Sequence, residues 1–201
     1  RLTDLFHAAA EGLPRRHLAA APTELAVDVV ALAERLRVQP EAWPPSALPR
    51  VLDYLPGGEP LGLYGRGPNW LYAAIARHAL PAPFHLFDVR RGWVQAPALT
   101  PGVSQPEGAL AATLAEREGI VTLTLQPCHA YLEFDAAERL AIPRVEAETL
   151  VLSGKLPLWL WAGLARAYAV PRLAVAQPQL GGAVVVRDTL AGQVGTVLPL
   201  G

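Results

Sequence analysis

From Leu61 onward the chain alternates short apolar runs with glycine and proline breaks. Leu61-Gly62-Leu63-Tyr64 reads as a strand and Gly65-Arg66-Gly67-Pro68 as a turn. Asn69–Leu80 then carries Trp70, Leu71, Ala74, Ile75 and Ala79 at helical spacing. Pro68 falls where a first helical turn tolerates proline, and Pro81 and Pro83 stop the helix. Phe84–Asp88 returns as a strand, and Arg91-Gly92 reads as a tight turn into Trp93-Val94-Gln95.

The same order of elements recurs. Leu150–Leu152 is a strand, Gly154-Lys155-Leu156-Pro157 a turn, Leu158–Ala169 a helix and Leu173–Gln177 a strand, with Gly181-Gly182 turning into Ala183–Val186. A shift of 89 positions aligns Leu61–Val94 with its second occurrence without a gap, and ten of the 34 positions are identical. Trp70, Leu71 and Arg77 are among them, Arg66 falls over Lys155, and Tyr72 falls over Trp161. Such self-similarity reads as a tandem duplication. The expected fold is α/β, with two similar strand-turn-helix-strand halves, residues 1–104 and 105–201, divided within the linker Pro97–Gly108.

Elsewhere the pattern is less decisive. Thr3–Glu11 reads as a helix with Thr3 as its cap and Gly12 and Pro14 as its stop. Glu24–Ala31 fits a strand or the start of a helix. Gln39–Leu48, with Pro40, Pro44 and Pro45, reads as a loop. Ile120–Leu125 alternates as a strand, with Ala130–Phe134 as its expected neighbour.

A strand feeding a glycine turn and a helix presents unpaired backbone N–H groups to an anion. Ligands of such crossovers collect at the carboxyl ends of the strands, where Gly65, Arg66, Gly67 and Asp88 lie, with Gly154, Lys155, Gln177 and Gln179 in the second copy. A cation in the same place of both copies favours an anionic ligand over glycines that merely turn the chain. Neither Gly-x-Gly-x-x-Gly nor a Walker loop is present, so a nicotinamide fold and a P-loop ATPase are not supported.

A net charge of −1 argues against duplex DNA held by phosphate charge alone. The single cysteine, Cys128, cannot form an internal disulfide, and no apolar run is long enough to span a bilayer. A soluble, cytoplasmic protein is expected. With no methionine in the sequence, Arg1 reads as preceded by further chain.

At Gly65-Arg66-Gly67-Pro68-Asn69-Trp70-Leu71 and Asp88-Val89-Arg90 the sequence resembles the Csx-three family of type III CRISPR accessory proteins, ring nucleases that bind and cut cyclic tetra-adenylate. The second copy keeps Gly154, Pro157, Trp159 and Leu160, then Gln177-Pro178-Gln179-Leu180-Gly181-Gly182. The resemblance implies a CARF-like or Rossmann-like arrangement with a pseudo-two-fold seam. It implies Asp88 and Arg90 as catalytic residues, and Gly65, Arg66, Gly67, Gly154, Lys155, Gln177 and Gln179 as ligand contacts. It also implies a divalent metal, manganese, carried over to Asp88 with His78 as a substitute ligand and His85 as another; the helix position where members carry His is Tyr72 here. A homo-oligomer is compatible with it.

Gln177 and Gln179 stand where the first copy has Asp88 and Arg90, so the site residues of the second copy are degenerate. A cutting phosphodiesterase and a non-cutting sensor or sponge for the same ring are both compatible with this asymmetry, and an interaction protein without nucleotide is the third reading. Trp70 and Trp159 are expected to be buried against the sheets rather than to stack a base. Cys128-His129 is expected to be no nucleophile pair, with Cys128 a small buried hydrophobe. Asp28, Glu133 and Asp135 are expected to be ordinary solvated carboxylates.

Overall fold

The computed structural model describes residues 12–102, 109–129 and 132–200, without the side chains of 138 and 139. The helix expected over Thr3–Glu11 lies outside these residues. Gly12 and Pro14 open a helix of their own. Helix α1, Leu13–Ala19, starts directly after Gly12 with Pro14 in its first turn, where a missing N–H leaves no bond unmade.

The ambiguous stretch splits in two. Strand β1, Leu25–Asp28, runs directly into helix α2, Val29–Arg35, because the Asp28 carboxylate accepts the Val30 N–H at 2.7 Å and caps the helix. Asp28 is therefore buried, 8 % exposed, and not the solvated carboxylate expected. The proline-rich stretch after α2 tightens into a 3₁₀ turn at Pro45–Ala47 and leads into helix α3, Leu48–Tyr54.

Strands β2, Leu61–Tyr64, and β3, Phe84–Asp88, are joined by helix α4, Asn69–His78, and β4, Gly92–Gln95, follows. They form a sheet in the order β1-β2-β3-β4, parallel except for β4. Phe84 and Leu86 point to one face of β3 and are buried. The opposite face packs under α1, where His17 stacks on Phe87 with centroids 4.3 Å apart and accepts the Trp93 Nε1–H on its carbonyl at 2.7 Å.

The segment read as a linker is ordered at its start. Pro97 and Leu99 lie so close to Gly163 that a Cβ there would come within 2.8 Å of the Pro97 ring. Strand β5, Pro101–Gly102, then pairs with β8, Ile142–Pro143. Strand β6, Leu110–Arg117, pairs antiparallel with β7, Ile120–Pro127, and so takes the place expected for Ala130–Phe134; Phe134 instead begins a 3₁₀ turn, Phe134–Arg139. Strand β9, Thr149–Gly154, helix α5, Leu158–Ala167, and strands β10, Arg172–Gln177, β11, Gly182–Asp188, and β12, Val197–Pro199, complete a sheet in the order β12-β11-β10-β9-β7-β6.

Within that sheet β7, β9 and β10 are parallel and β11 is antiparallel to β10. The succession β9-α5-β10-β11 thus repeats β2-α4-β3-β4 in order and direction, and α4 and α5 are offset by the 89 residues of the sequence repeat. Helix α4 packs along α5 and also against β10 and β11. One continuous buried cluster takes in Leu63, Trp70 and Leu86 from the first half and Leu152, Trp159 and Leu173 from the second. Trp70 and Trp159 are buried, as their shared helical face implies, with 1 % and 4 % exposed. Among the described residues no helix is long and apolar enough to cross a membrane.

Candidate functional site

The two glycine turns are built alike. Gly65 and Gly154 close their strands with φ of 107° and 139°, a region that a side chain disfavours. Gly154 has no alternative: a Cβ there would sit 2.1 Å from the Leu125 carbonyl oxygen of neighbouring β7. After each turn a proline, Pro68 or Pro157, takes the cap position and the helix begins. The first turn is further fixed by the Tyr72 hydroxyl, which donates to the Gly65 carbonyl at 2.5 Å. Burial, reinforced by the charge of Asp28, raises the pKa of Tyr72 and keeps it a neutral donor.

Each turn faces the strand end of the opposite half. Arg66, Gly67, Pro68 and Trp70 form one wall of a cleft of about 700 Å³, and Gln177, Gln179 and Leu180 form the other. Lys155, Pro157 and Trp159 form one wall of a second cleft of about 290 Å³, and Asp88, Arg90 and Arg91 form the other. Under the offset of 89 residues Arg66, Pro68, Trp70, Gln177, Gln179 and Leu180 correspond to Lys155, Pro157, Trp159, Asp88, Arg90 and Arg91, while Gly67 has no counterpart in the second lining. The crossing follows from the packing of α4 against β10, which sets the start of that helix beside Gln177. Arg66 and Asp88, neighbours in the sequence repeat, are therefore lined up in different clefts.

The narrow cleft is crowded with ions. Asp88 Oδ1 accepts the backbone N–H groups of Arg90 at 2.8 Å and Arg91 at 3.1 Å, so one carboxylate oxygen holds the β3–β4 turn. Arg91 forks to Glu133 at 2.7 Å and Asp135 at 2.9 Å, and these contacts raise its pKa, the hydrogen bond to Glu133 first. Glu133 and Asp135 are solvated as expected, but both are engaged. Between them Phe134 meets Trp159 edge to face at 5.2 Å, which closes the back of the cleft.

The wide cleft is mostly apolar. Its other surfaces come from Trp43, Pro40 and Val30, with Glu41 adding a carboxylate. Gln177 Nε2 donates to Gln179 Oε1 at 2.6 Å, so the two amides that correspond to Asp88 and Arg90 pair with each other. The Trp43 indole N–H is buried without an acceptor among the described residues. Neither Trp43 nor Glu41 stood out in the sequence, because the stretch around Pro40, Pro44 and Pro45 carries no periodicity that would place it over the site.

Three residues singled out by type do not join the clefts. His78 ends α4, whereas Asp88 ends β3, which runs antiparallel to that helix, so the two lie at opposite ends of the crossover. The His78 ring donates instead to the Leu55 carbonyl at 3.0 Å. His85 is three positions before Asp88 on the same strand and so projects from the other face; burial lowers its pKa. Cys128 is exposed just beyond β7, not the buried hydrophobe expected.

Among the described residues no three His, Cys, Asp or Glu side chains converge to hold a metal, and Asp88 spends one oxygen on its own turn.

No curated protein matches the chain. The model of one family, described as CRISPR-associated protein (Cas_csx3), matches residues 126–199, the stretch that contains β9, α5, β10 and β11, and it is to this family that the second half of the chain is similar.

Proposed function

We propose that the face carrying both clefts binds cyclic tetra-adenylate, that the two halves are the copies of a duplication related by a pseudo-two-fold axis, and that the narrow cleft cuts the ring. The observation that carries this reading is the crossed pairing of turns and strand ends. It supplies two corresponding anion-facing sites, each with one cation beside a helix N-terminus, as a ring with repeating phosphates requires. The family match over the second half supports the association with CRISPR immunity.

In this reading Lys155 and the start of α5 seat a phosphate. Asp88, through the carboxylate oxygen that does not hold the turn, orients the neighbouring ribose 2′-hydroxyl toward phosphorus. The new O2′–P bond forms as the bond to the 5′-oxygen breaks, the 2′-hydroxyl proton leaves to Asp88, and the 5′-oxygen takes its proton from water. Arg90 offsets the charge that builds on the non-bridging oxygens. The products are a 2′,3′-cyclic phosphate at one end and a 5′-hydroxyl at the other. No step uses a metal.

The second reading, a sensor or sponge that holds the ring uncut, is favoured by one feature: Asp88 serves a turn, as structural aspartates do. Incubating labelled cyclic tetra-adenylate with the parent chain decides between them. A linear tetranucleotide establishes cutting, a retained intact ring establishes the sensor, and no association at all removes both.

A further inference from the structure

We propose that the far end of the paired helices holds a separate anion site, a pocket for one phosphate-class oxyanion built on Arg77 and Arg187. It lies at the C-terminal end of α4, whereas the wide cleft lies at the start of that helix, and it does not depend on what the clefts bind. A cavity of about 320 Å³ opens there between Arg77, His78 and Leu80 at the helix end, Leu52 of α3, and Arg187 and Asp188 of β11. That volume is at the small end of ligand pockets.

An irregularity in β11 delivers Arg187. Val184 and Val186 join the main core and Val185 the outer cluster, so plain alternation would send Arg187 outward with Val185. Instead Val185 pairs with Ala174 and Arg187 with Leu173, which leaves Val186 as a bulge. Leu173 faces the main core, so Arg187 faces it too, and its Nη1 donates to the Val170 carbonyl. Bulges of this kind re-aim a side chain and recur beside functional sites.

Positive charge is left over at this end. The C-termini of α4 and α5 together carry about one negative charge, whereas Arg77, Arg166 and Arg187 are all cations. Asp188, the carboxylate in the lining, is already taken by the N–H groups of Leu190, Ala191 and Gln193 and by the Arg172 guanidinium. Among the described residues neither Arg77 nor Arg187 forms an ion pair. Burial lowers the Arg77 pKa first, and repulsion from Arg187 and Arg166 adds to it. Among the same residues Nη1 makes the protein bonds of both groups, so Nε and Nη2 of each remain as donors, and they are not sealed from solvent. Two guanidinium groups lining one cavity with no free carboxylate suit a tetrahedral oxyanion, which accepts paired bonds from such forks.

The test is calorimetry of the full chain with inorganic phosphate and with glycerol phosphate, at an ionic strength held constant with chloride. Arg66→Ala combined with Lys155→Ala removes the cleft cations and should leave phosphate bound at this site. Arg187→Gln, which keeps an N–H for Val170, should weaken that binding about tenfold, the worth of a hydrogen bond to a charged group. The tighter titrant tells free phosphate from a phosphomonoester, and either supports the site. Because Arg187 also packs, thermal melts accompany each variant, and the unaltered chain is treated separately with phenylglyoxal, which modifies accessible guanidinium groups. Phosphate should protect Arg187 where chloride does not. The site is overturned if the parent binds no phosphate, or if binding follows Arg66 and Lys155 and is indifferent to Arg187→Gln. An Arg187 equally modified, or equally untouched, in the two salts overturns it as well.

Discussion

Arg77 and Arg166 tie the two central helices together reciprocally. The Arg77 guanidinium donates to the carbonyls of Ala165 at 2.6 Å and Tyr168 at 2.7 Å, while Arg166 donates to those of Ala76 at 2.8 Å and Ala82 at 3.0 Å. The two arginines correspond under the sequence repeat, as do Ala76 and Ala165. Each guanidinium thus supplies donors to one carbonyl in the last turn of the other helix, Ala165 or Ala76, which that helix leaves unpaired, and to a second carbonyl beyond its end, Tyr168 or Ala82. Burial, with the nearby charges of Arg187 and Arg166, pulls the Arg77 pKa down to about 10, so the group stays charged at neutral pH.

Removing either guanidinium orphans two carbonyls. Arg77→Ala and Arg166→Ala are each expected to cost about 2 kcal/mol in urea unfolding, by the general penalty for unpaired buried acceptors. Because the two share one stretch of packed backbone, the double variant should depart from the sum by about 0.5 kcal/mol or more. Strict additivity would show that the helices are not joined through these bonds.

Asp88→Asn keeps an oxygen for the Arg90 and Arg91 N–H groups and removes only the charge. If Asp88 handles the 2′-hydroxyl, this variant should melt like the parent and cut at least about a hundredfold more slowly, the usual worth of a positioned acid or base. Asp88→Ala should lose both the turn and the rate. An Asp88→Asn protein that cuts at the parental rate excludes Asp88 from the chemistry.

Glu133 and Asp135 occupy Arg91 in the free chain, where a ligand phosphate would otherwise compete for it. The double variant Glu133→Gln with Asp135→Asn should bind the ring about two- to fivefold more tightly, in keeping with the small worth of exposed ion pairs. Titration at low salt shows this most clearly, since screening weakens the pairs themselves. Weaker binding would mean that the carboxylates hold the cleft open.

Asp188 gives stability a dependence on acid. Burial alone would raise its pKa, but the N–H groups of Leu190, Gln193 and Ala191, together with Arg172, outweigh burial and lower it. A carboxylate with a lowered folded-state pKa stabilises above its unfolded value, and that contribution fades as pH falls through the folded-state pKa. Thermal melts of the parent should therefore drop on acidification more steeply than those of Asp188→Asn. At neutral pH that variant should melt roughly 5 °C lower, given the strength of hydrogen bonds to charged groups and the size of the chain.

The crossover units were legible because their signals are local. Glycine, proline and the helical spacing of Trp70 and Leu71 define β2-α4-β3 without reference to any other part of the chain. The antiparallel partner of β7 was misplaced because Leu110–Arg117 is mostly exposed and carries no apolar alternation. The clefts were half legible. Repeat positions mark Arg66, Lys155, Asp88 and Gln177 as equivalent cleft residues, but whether a turn faces its own strand end or the other half's is decided by how α4 packs on the second sheet. No spacing along the chain encodes that choice.

The crossed clefts give the peptide bond between the halves a further role. Like halves paired with like would set Arg66 opposite Asp88 in one species and Lys155 opposite Gln177 in the other, and separate chains would assort into such mixtures. A single polypeptide issues every molecule with one ionic and one amide cleft, in fixed proportion from the moment of synthesis. In the duplication proposed above, the two halves pass on together, so one can lose its charges while its companion retains them, with no requirement that unlike products find each other in the cell.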